Sequence, residues 1–359
     1  MTMNRSAQNS GTSEVRDAHR FDPAALDAWL RDNVAGYAGP LAVRQFKGGQ
    51  SNPTYRLDTP GRSYVMRRKP PGRLLPGAHA IEREYRVIDA LGRQGFPVAG
   101  ALGLCEDPAI IGTPFYVMEM VEGRIFWEAH LPEVPAAERA AYFDAMNAAI
   151  AALHRIDPEA AGLGDYGKPG NYFERQIGRW SKQYLGDAEA GRVAAMDRLV
   201  EWLPANIPHE EDEEVRVIHG DFRCDNMIFH AAEPRVLAVL DWELSTLGHP
   251  LSDFAYHLMM YRMPAGFLAG LEGRDLAALG IPSEQDYVAA YCARTGRTSI
   301  PDLDFYIAFN MFRLAAIVHG IKGRLARGTA ASAHAAAMAE GLEPLAELAW
   351  RQAARAAPG

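Results

Sequence analysis

The stretch His219-Gly-Asp-Phe-Arg-Cys-Asp-Asn226 decides the fold of this chain, together with Leu240-Asp-Trp-Glu243 that follows it. Phosphoryl transfer from a nucleotide needs one carboxylate to orient the acceptor hydroxyl. It also needs oxygen ligands that hold Mg²⁺ against the phosphates. The residue types and their spacing therefore predict Asp221 as the acceptor-side catalytic carboxylate, with Asn226 and Asp241 as the metal ligands.

An ordinary turn is the alternative explanation of the first stretch. Asp and Asn are common turn formers, and their side chains often cap nearby backbone groups. However, the stretch lies between apolar segments typical of strands, Val215–Ile218 and Val236–Leu240. This context, with a second Asp at a kinase-like distance, favours phosphoryl transfer over a simple turn.

The two stretches resemble motifs of the aminoglycoside phosphotransferase and choline kinase-like family of small-molecule kinases. In that family an H-G-D-x-x-x-x-N loop and a D-W-E or similar motif replace the H-R-D and D-F-G motifs of protein kinases. The resemblance covers roughly residues 40 to 320. It implies an α+β, bilobal, protein-kinase-like fold with ATP and Mg²⁺ as cofactors. The N-lobe would be a small antiparallel sheet with one helix, and the C-lobe would be larger and mainly helical.

The pattern of apolar residues predicts three regions. Residues 1–25 carry no regular pattern and are expected to be a mobile arm. Residues 26–120 should form the N-lobe, because β-like runs surround one helical stretch at Ala78–Leu91. Residues 121–359 should form the C-lobe, since helical patterns dominate beyond Gly123. The predicted strands are Leu41–Phe46, Thr54–Leu57, Arg62–Arg68, Ala101–Cys105 and Pro114–Val121.

One cation and one carboxylate of the N-lobe are predicted to act together. The run Tyr64-Val-Met-Arg67 stands where the V-A-I-K strand is expected, so Arg67 replaces the phosphate-binding Lys, with Lys69 as the alternative on the same strand face. A solvated basic edge strand is the other explanation. Glu84 falls within the apolar stripe of the predicted helix, whereas Glu82 points away from it. A buried charge needs a partner, and the resemblance implies that Glu84 pairs with Arg67, as the family's Lys–Glu pair does.

Two backbone segments complete the predicted nucleotide site. The loop between the first two strands offers a flexible turn with backbone N–H groups, although an ordinary hairpin explains it equally well. The end of the fifth strand resembles a kinase hinge, whose backbone would bind the adenine edge, with Met118 as a gatekeeper-like residue. The residues assigned to these segments are Gly48, Gly49, Ser51 and Asn52 in the turn, and Met118, Glu119 and Met120 in the hinge.

Other polar residues around the main motif have weaker assignments. Arg223 is predicted either to stabilise charge in the transition state or to pair with Asp225 or a surface acid. His219 is expected to be a buried residue that orients the loop. Asp253 matches a family Asp that anchors the loop, and it would also suit the first turn of any helix. Glu243 is left without an assigned role, and Cys224 lacks the partners of a nucleophile.

The acceptor is suggested by a further resemblance. Arg67-Arg-Lys-Pro-Pro-Gly72 and Leu240-Asp-Trp-Glu-Leu-Ser-Thr-Leu-Gly-His-Pro250 are similar to the kinase domain fused to acyl-CoA dehydrogenases. That branch implies phosphorylation of hydroxyacyl-CoA thioesters. Cationic contacts for the phosphates of CoA could come from Arg124, Arg313, Lys322 and Arg324.

Two other functions stay open at this point. An aminoglycoside or amino-alcohol kinase would need an acidic acceptor pocket, for which the run 210–214 is a candidate. A nucleotide-binding pseudokinase scaffold is disfavoured, because it would not need Asp221, Asn226 and Asp241 together.

Composition excludes several classes of protein. Lys and Arg number 37 against 45 Asp and Glu, and the net charge of −8 argues against a nucleic-acid binder. No apolar stretch approaches the roughly 20 residues of a membrane span. The first residues lack the apolar core of a secretory signal. With three scattered cysteines, this favours a cytoplasmic enzyme whose partners are a nucleotide and a small-molecule acceptor. The sequence leaves a homodimer open.

Overall fold

The computed structural model describes residues 10–48, 52–72, 79–209, 214–265, 270–329 and 333–356. Within them the chain divides into two compact units. Unit 1 comprises Met1–Tyr166, Arg223–Ser245 and Ala278–Ile281, and unit 2 comprises Gly167–Phe222, Thr246–Ala277 and Pro282–Gly359, as far as these ranges are described. The predicted lobe boundary near residue 120 lies inside unit 1.

The regular elements of the described residues are short strands and α-helices. The strands are β1 (Thr12–Ser13), β2 (Ala42–Phe46), β3 (Thr54–Asp58), β4 (Ser63–Arg68), β5 (Ala101–Cys105), β6 (Phe115–Glu119), β7 (Arg216–Ile218), β8 (Met227–Phe229), β9 (Val236–Val239) and β10 (Thr246–Gly248). The α-helices are α1 (Pro23–Asn33), α2 (Ile81–Arg93), α3 (Ala136–Arg155), α4 (Tyr172–Gly186), α5 (Ala194–Ala205), α6 (Pro250–Leu258), α7 (Leu276–Leu279), α8 (Glu284–Thr295), α9 (Leu303–Ala326), α10 (Ala333–Glu340) and α11 (Leu342–Ala356).

Unit 1 is built on a six-stranded antiparallel sheet in the order β1-β2-β3-β4-β6-β5. Successive side chains of a strand point to opposite faces, and β4 therefore sends Met66 and Arg67 to different sides. Met66 joins the core on the face that α1 covers. Arg67 lies opposite Tyr116 of β6 and shares the other face with Glu84 of α2. The predicted α+β fold is confirmed.

The N-terminal segment corrects one expectation. Thr12 and Ser13 form a strand that pairs with Phe46 and Gln45 of β2, and α1 starts at Pro23. Helix α1 buries Leu26 and Leu30 in the core of unit 1, and Asp22 caps its N-terminus by accepting from the Ala24 amide. The described part of residues 1–25 is therefore an ordered edge of the sheet, held by backbone pairing and apolar burial. Residues 1–9 lie outside the described residues.

Unit 2 is mainly helical. Helix α9 is buried along most of its length. Helix α6 begins at Pro250, and the preceding His249 caps it, because its side chain accepts a hydrogen bond from the Leu251 amide. The short strands β7 and β10 pair antiparallel, which places the segment before His219 beside the segment before His249. None of the helices among the described residues is long and apolar enough to cross a membrane.

Candidate active site

The predicted site residues fall in both units, because the boundary between the units runs between Phe222 and Arg223. Unit 1 holds the residues assigned to the nucleotide and the metal. Unit 2 holds Asp221 and the groups that anchor its loop.

In unit 1, Arg67 and Glu84 form the ion pair that the helical stripe predicted. Arg67 Nε lies 3.0 Å from a Glu84 carboxylate oxygen, and both side chains are buried. Glu84 also accepts from Tyr116 Oη at 3.2 Å and from Asn52 Nδ2 at 2.9 Å. These contacts satisfy the buried carboxylate and fix the guanidinium on the helix-facing side of β4.

Arg67 also contacts two other carboxylates. Its Nη2 donates to Asp241 Oδ1 at 2.7 Å and lies 3.5 Å from Glu243 Oε2. Burial alone would lower the pKa of Arg67, but Glu84 and Asp241 raise it above its ordinary value. Burial raises the pKa of Glu84, and Arg67 opposes this effect. Three carboxylates thus share one cation.

The carboxylate oxygens gathered beside Arg67 are the property of unit 1 that fits a divalent cation. Carboxylate and amide oxygens are the ligands that Mg²⁺ prefers, and Asp241 keeps about a third of its side chain exposed. The residues present therefore suit the metal that the motif predicts.

The β8–β9 hairpin brings the two predicted metal ligands to the same end of unit 1. Leu240 N–H donates to Asn226 C=O at 2.8 Å, and Asp241 follows directly. Asp241 adopts the left-handed conformation with φ of 64°, which Asp tolerates better than most residues. Trp242 fixes this turn, since its Nε1 donates to Val239 C=O at 2.9 Å and its ring packs edge-on against Phe96.

Asn52 is a correction to the predicted phosphate turn. Its side chain is fully buried and bonded to Glu84, and its Oδ1 accepts from His79 Nδ1 at 2.9 Å. A buried amide with both ends engaged supports the Arg67–Glu84 pair and is not available to a phosphate. Gly48 is half-buried at the start of the turn. Gly49 and Ser51 lie outside the described residues.

Lys69, the alternative cation, pairs elsewhere. Its Nζ lies 2.9 Å from a carboxylate oxygen of Glu82, at a partly exposed position. Glu82 is therefore the surface residue that the helical pattern indicated. Arg67 remains the cation of β4 that contacts the predicted metal ligand.

The hinge segment is held by the sheet. Met118 pairs with Val65 of β4 and is almost completely buried. Glu119 N–H donates to Gly100 C=O at 2.9 Å, and its carboxylate accepts from Arg62 at 2.5 Å. The Glu119 amide is thus already used within unit 1, and Met120 follows it half-buried. Adenine recognition by this segment stays a prediction.

Arg223 adopts the alternative arrangement that the sequence left open. Its Nη2 donates to Asp225 Oδ2 at 2.7 Å. This pair places the guanidinium beside the Asn226 turn. Between them, Cys224 is buried, and burial raises the pKa of its thiol far above the ordinary value. A thiol in that state is a poor nucleophile, as expected.

In unit 2, Asp253 anchors the loop that carries Asp221. Its two carboxylate oxygens accept from the backbone amides of His219 and Gly220, each at 2.8 Å. All three residues are buried or nearly so, which makes the arrangement costly to disrupt. His219 is fully buried, and its Nδ1 accepts from the Asp221 amide at 3.2 Å. Both residues therefore shape the backbone of the loop.

Two residues that the sequence did not assign to catalysis also contact this loop. Tyr256 Oη donates to Asp221 Oδ1 at 2.6 Å. Arg313 Nη2 donates to Gly220 C=O at 2.8 Å, and its guanidinium lies 5.3 Å from the centre of the Tyr256 ring. Arg313 was a candidate for binding CoA phosphates. Since it is buried and holds the loop, it is not available for that role.

His257 contacts the same loop through Phe222, and its burial predicts that the stability of the protein depends on pH. Its Nδ1 donates to Phe222 C=O at 3.1 Å, and its Nε2 accepts from Tyr287 Oη at 2.6 Å. Burial lowers the pKa of His257 to about 4, against the small opposing effects of the Phe222 carbonyl and Asp253. The folded protein therefore binds fewer protons at this group than the unfolded chain between pH 6.5 and 4.

The free energy of unfolding should consequently fall as the pH is lowered through this range, by about 3 kcal/mol from His257 alone. Urea unfolding at several pH values measures the slope. The variant His257→Asn keeps a donor near Phe222 but cannot titrate, so its slope should be shallower. Equal slopes in the two proteins would show that His257 is not the titrating group.

The other residues proposed to bind CoA phosphates differ in their partners within the protein. Arg124 is half-buried and donates weakly to Tyr142 Oη and to the carbonyls of Glu133 and Ala231, at 3.4 to 3.5 Å. Among the described residues, no acidic side chain pairs with Lys322 or Arg324, and Arg324 is exposed. These three residues keep some capacity to bind an anion.

The acidic run is only partly described. Glu214 pairs with Arg216 at 3.2 Å and with Arg297. Its charge is therefore balanced within unit 2 and is not available to a polycation. Residues 210–213 lie outside the described residues.

Comparison with known proteins decides the family. A model described as the phosphotransferase enzyme family matches residues 42–299, which include the predicted site residues of each unit. The chain belongs to this family. The predicted phosphotransferase activity is thereby confirmed at the level of the enzyme class.

Proteins similar to this phosphotransferase include one of known structure. It comes from Ralstonia eutropha JMP134 and has been named, provisionally, an aminoglycoside phosphotransferase. The two sequences are 53% identical, with a TM-score of 0.88, over 94% of this chain and 100% of the other. The kinase-like fold of this family is therefore shared.

Curated relatives are much longer proteins. The chain is 45% identical to acyl-CoA dehydrogenase family member 11 of Gallus gallus, over 95% of its own length and 44% of the relative. It is 44% identical to family member 10 of Mus musculus, over 94% of its length and 32% of the relative. The chain thus spans 32% to 44% of the length of these relatives.

Proposed function

We propose that this phosphotransferase transfers the γ-phosphoryl group of ATP to an alcohol hydroxyl, and that the acceptor is a hydroxyacyl-CoA thioester. The observation that carries the first part is the contact of the buried Arg67–Glu84 pair with the partly exposed Asp241 in unit 1. A guanidinium has several N–H groups that can bind phosphate oxygens, and Glu84 and Asp241 fix the position of this one. Asp221, on its anchored loop in unit 2, supplies the acceptor-side carboxylate.

The chemical step follows from these assignments. The acceptor hydroxyl donates to Asp221, which takes its proton as the oxygen bonds to the γ-phosphorus and the bond to the leaving ADP breaks. Asn226 and Asp241 would hold Mg²⁺, which supplies neutralisation of phosphate charge when bound. Arg67 binds phosphate oxygens, and Asp221 orients the attacking oxygen. Electrostatic positioning of this kind is the main source of catalysis in phosphoryl transfer.

The metal role of Asp241 can be tested by binding. Asp241→Ala should weaken Mg²⁺-nucleotide binding by at least about tenfold, because even residues outside the metal's own ligand set cost that much when replaced. Titration with a fluorescent ATP analogue measures the affinity. In EDTA the variant and the native protein should bind the nucleotide alike. Undiminished binding in Mg²⁺ would remove Asp241 from the metal site.

Two observations support a CoA thioester as the acceptor. The long relatives that match almost the whole chain are named as acyl-CoA dehydrogenase family members. Within unit 2, the described acid of the 210–214 run is neutralised by Arg216 and Arg297, whereas Arg324 is exposed and unpaired among the described residues. This distribution of charge suits an anionic acceptor better than a polycation.

An aminoglycoside remains the second candidate, because the R. eutropha relative carries that name. The test is ADP release by the purified protein, measured with hydroxyacyl-CoAs, aminoglycosides and choline-like alcohols in parallel. The proposal expects turnover with a hydroxyacyl-CoA and none with the corresponding free hydroxy acid. Turnover confined to aminoglycosides or amino alcohols would overturn the acceptor. ATP binding without turnover on any acceptor would favour a scaffold.

A further inference from the structure

The side chain of Asp221 is held by a residue that no sequence motif assigns. Tyr256 Oη donates to Asp221 Oδ1 at 2.6 Å, which is the distance of a strong hydrogen bond between a hydroxyl and an ionised carboxylate. Tyr256 is partly exposed, whereas its neighbours on α6 are buried. The phenol therefore lies at the surface of unit 2, where an acceptor could approach Asp221.

Helix α6 contacts the loop through two residues on one face. Asp253 and Tyr256 are three positions apart, so their side chains leave the helix on the same side. Asp253 binds the backbone amides of His219 and Gly220, and Tyr256 binds the carboxylate of Asp221. One helical turn thus fixes both the path of the loop and the direction of its functional side chain.

The Tyr256 ring is itself held in place. The guanidinium of Arg313 lies over it at 5.3 Å, a favourable cation–π distance. The same guanidinium donates to Gly220 C=O at 2.8 Å. Arg313 therefore ties the ring of Tyr256 to the loop residue directly before Asp221.

We propose that Tyr256 is a positioning residue, which holds the Asp221 carboxylate in the orientation that receives the acceptor hydroxyl. The inference rests on the proposed role of Asp221 as the acceptor-side carboxylate. A carboxylate on a loop has several rotamers, and the phenol selects one of them. Because misplacing a reacting group by about 1 Å can cost a hundredfold in rate, this selection matters for kcat.

Tyr256→Phe removes one hydroxyl and keeps the ring beneath Arg313. The variant should lower kcat by roughly tenfold and leave the KM for ATP unchanged, because only the orientation of Asp221 is loosened. Tyr184→Phe is the matched control. It loses the same kind of phenol–carboxylate bond, to Asp197 at 2.5 Å on helix α5, and should keep the native kcat.

A double-variant cycle separates positioning from general structural support. In single-turnover assays with labelled ATP, Tyr256→Phe should add no further loss to Asp221→Asn, because the group that it positions is already gone. Losses that multiply would mean that Tyr256 acts independently of Asp221, and a native kcat in Tyr256→Phe alone would also overturn the inference. If Asp221→Asn itself keeps full activity, the proposed function fails instead.

Discussion

Asp221→Asn is expected to lower kcat by roughly a thousandfold while the affinity for Mg²⁺-ATP stays unchanged. Asn has nearly the same shape as Asp but cannot take the proton of the acceptor hydroxyl. Its backbone should stay in place, because the loop is held by Asp253 through the amides of His219 and Gly220. Nucleotide binding is assigned to unit 1, in which Asp221 does not lie.

The measurement combines acceptor-dependent ADP release with nucleotide titration. Asp187→Asn is a suitable control, since Asp187 forms an ion pair with Arg327 at a partly exposed position of unit 2. That variant should turn over normally. Normal turnover in Asp221→Asn would reject the catalytic assignment. A parallel loss of nucleotide affinity would show that the substitution disturbs more than the acceptor side.

The parts of the site that the sequence predicted depend on regular periodicity. On β4, the two-residue repeat separates Arg67 from its neighbours Met66 and Arg68, both of which face α1 or its surroundings. On α2, the helical repeat places Glu84 and not Glu82 on the buried face. Two local rules, together with the resemblance to kinases that pair a strand cation with a helix carboxylate, therefore predicted an ion pair between residues far apart in the chain.

Other contacts depend on tertiary packing that no local pattern encodes. Asn52 was assigned to phosphate because it follows two glycines, yet the structure buries it between His79 and Glu84. Arg313 sits in the middle of α9, and only the packing of unit 2 brings it to Gly220. The position of Tyr256 three residues after Asp253 was the one available signal. This spacing predicts a contact between Tyr256 and the loop only once Asp253 is known to bind the loop.

The N-terminal segment shows a different limit. Thr12 and Ser13 form a strand of two residues, which is too short to give an alternating pattern. Their pairing with β2 depends on an edge that β2 leaves open on that side. A periodicity search cannot detect an edge strand of two residues. The expectation of a mobile arm was therefore wrong for the described part of the segment.

Glu84→Gln should produce the largest loss of stability among the site variants. Removing one partner of a buried ion pair typically costs 3–5 kcal/mol, because the remaining charge loses its counter-charge without regaining water. Burial raises the pKa of Glu84 to about 7, so the loss is measured above that pH, where the carboxylate is ionised. Arg67 keeps Asp241 and Glu243, and the expected loss in the free energy of unfolding is therefore at the low end of the range, about 3 kcal/mol. Activity should fall roughly a hundredfold as well, since the Arg67 guanidinium loses the contact with Glu84 that fixes its position.

Glu82→Gln provides the matched control on the same helix. Its partner Lys69 is a cation directly after β4, 2.9 Å away, and the pair is partly exposed, with 22% of the Lys69 and 40% of the Glu82 side chain accessible. An exposed pair contributes about 0–1 kcal/mol, so the two isosteric changes should differ several-fold in urea unfolding. Distance and charge are alike in the two pairs, whereas Glu84 is buried and also accepts from Tyr116 and Asn52. If both variants lose the same small free energy, Glu84 is not the buried counter-charge of Arg67, and the phosphate-binding role of that arginine loses its structural basis.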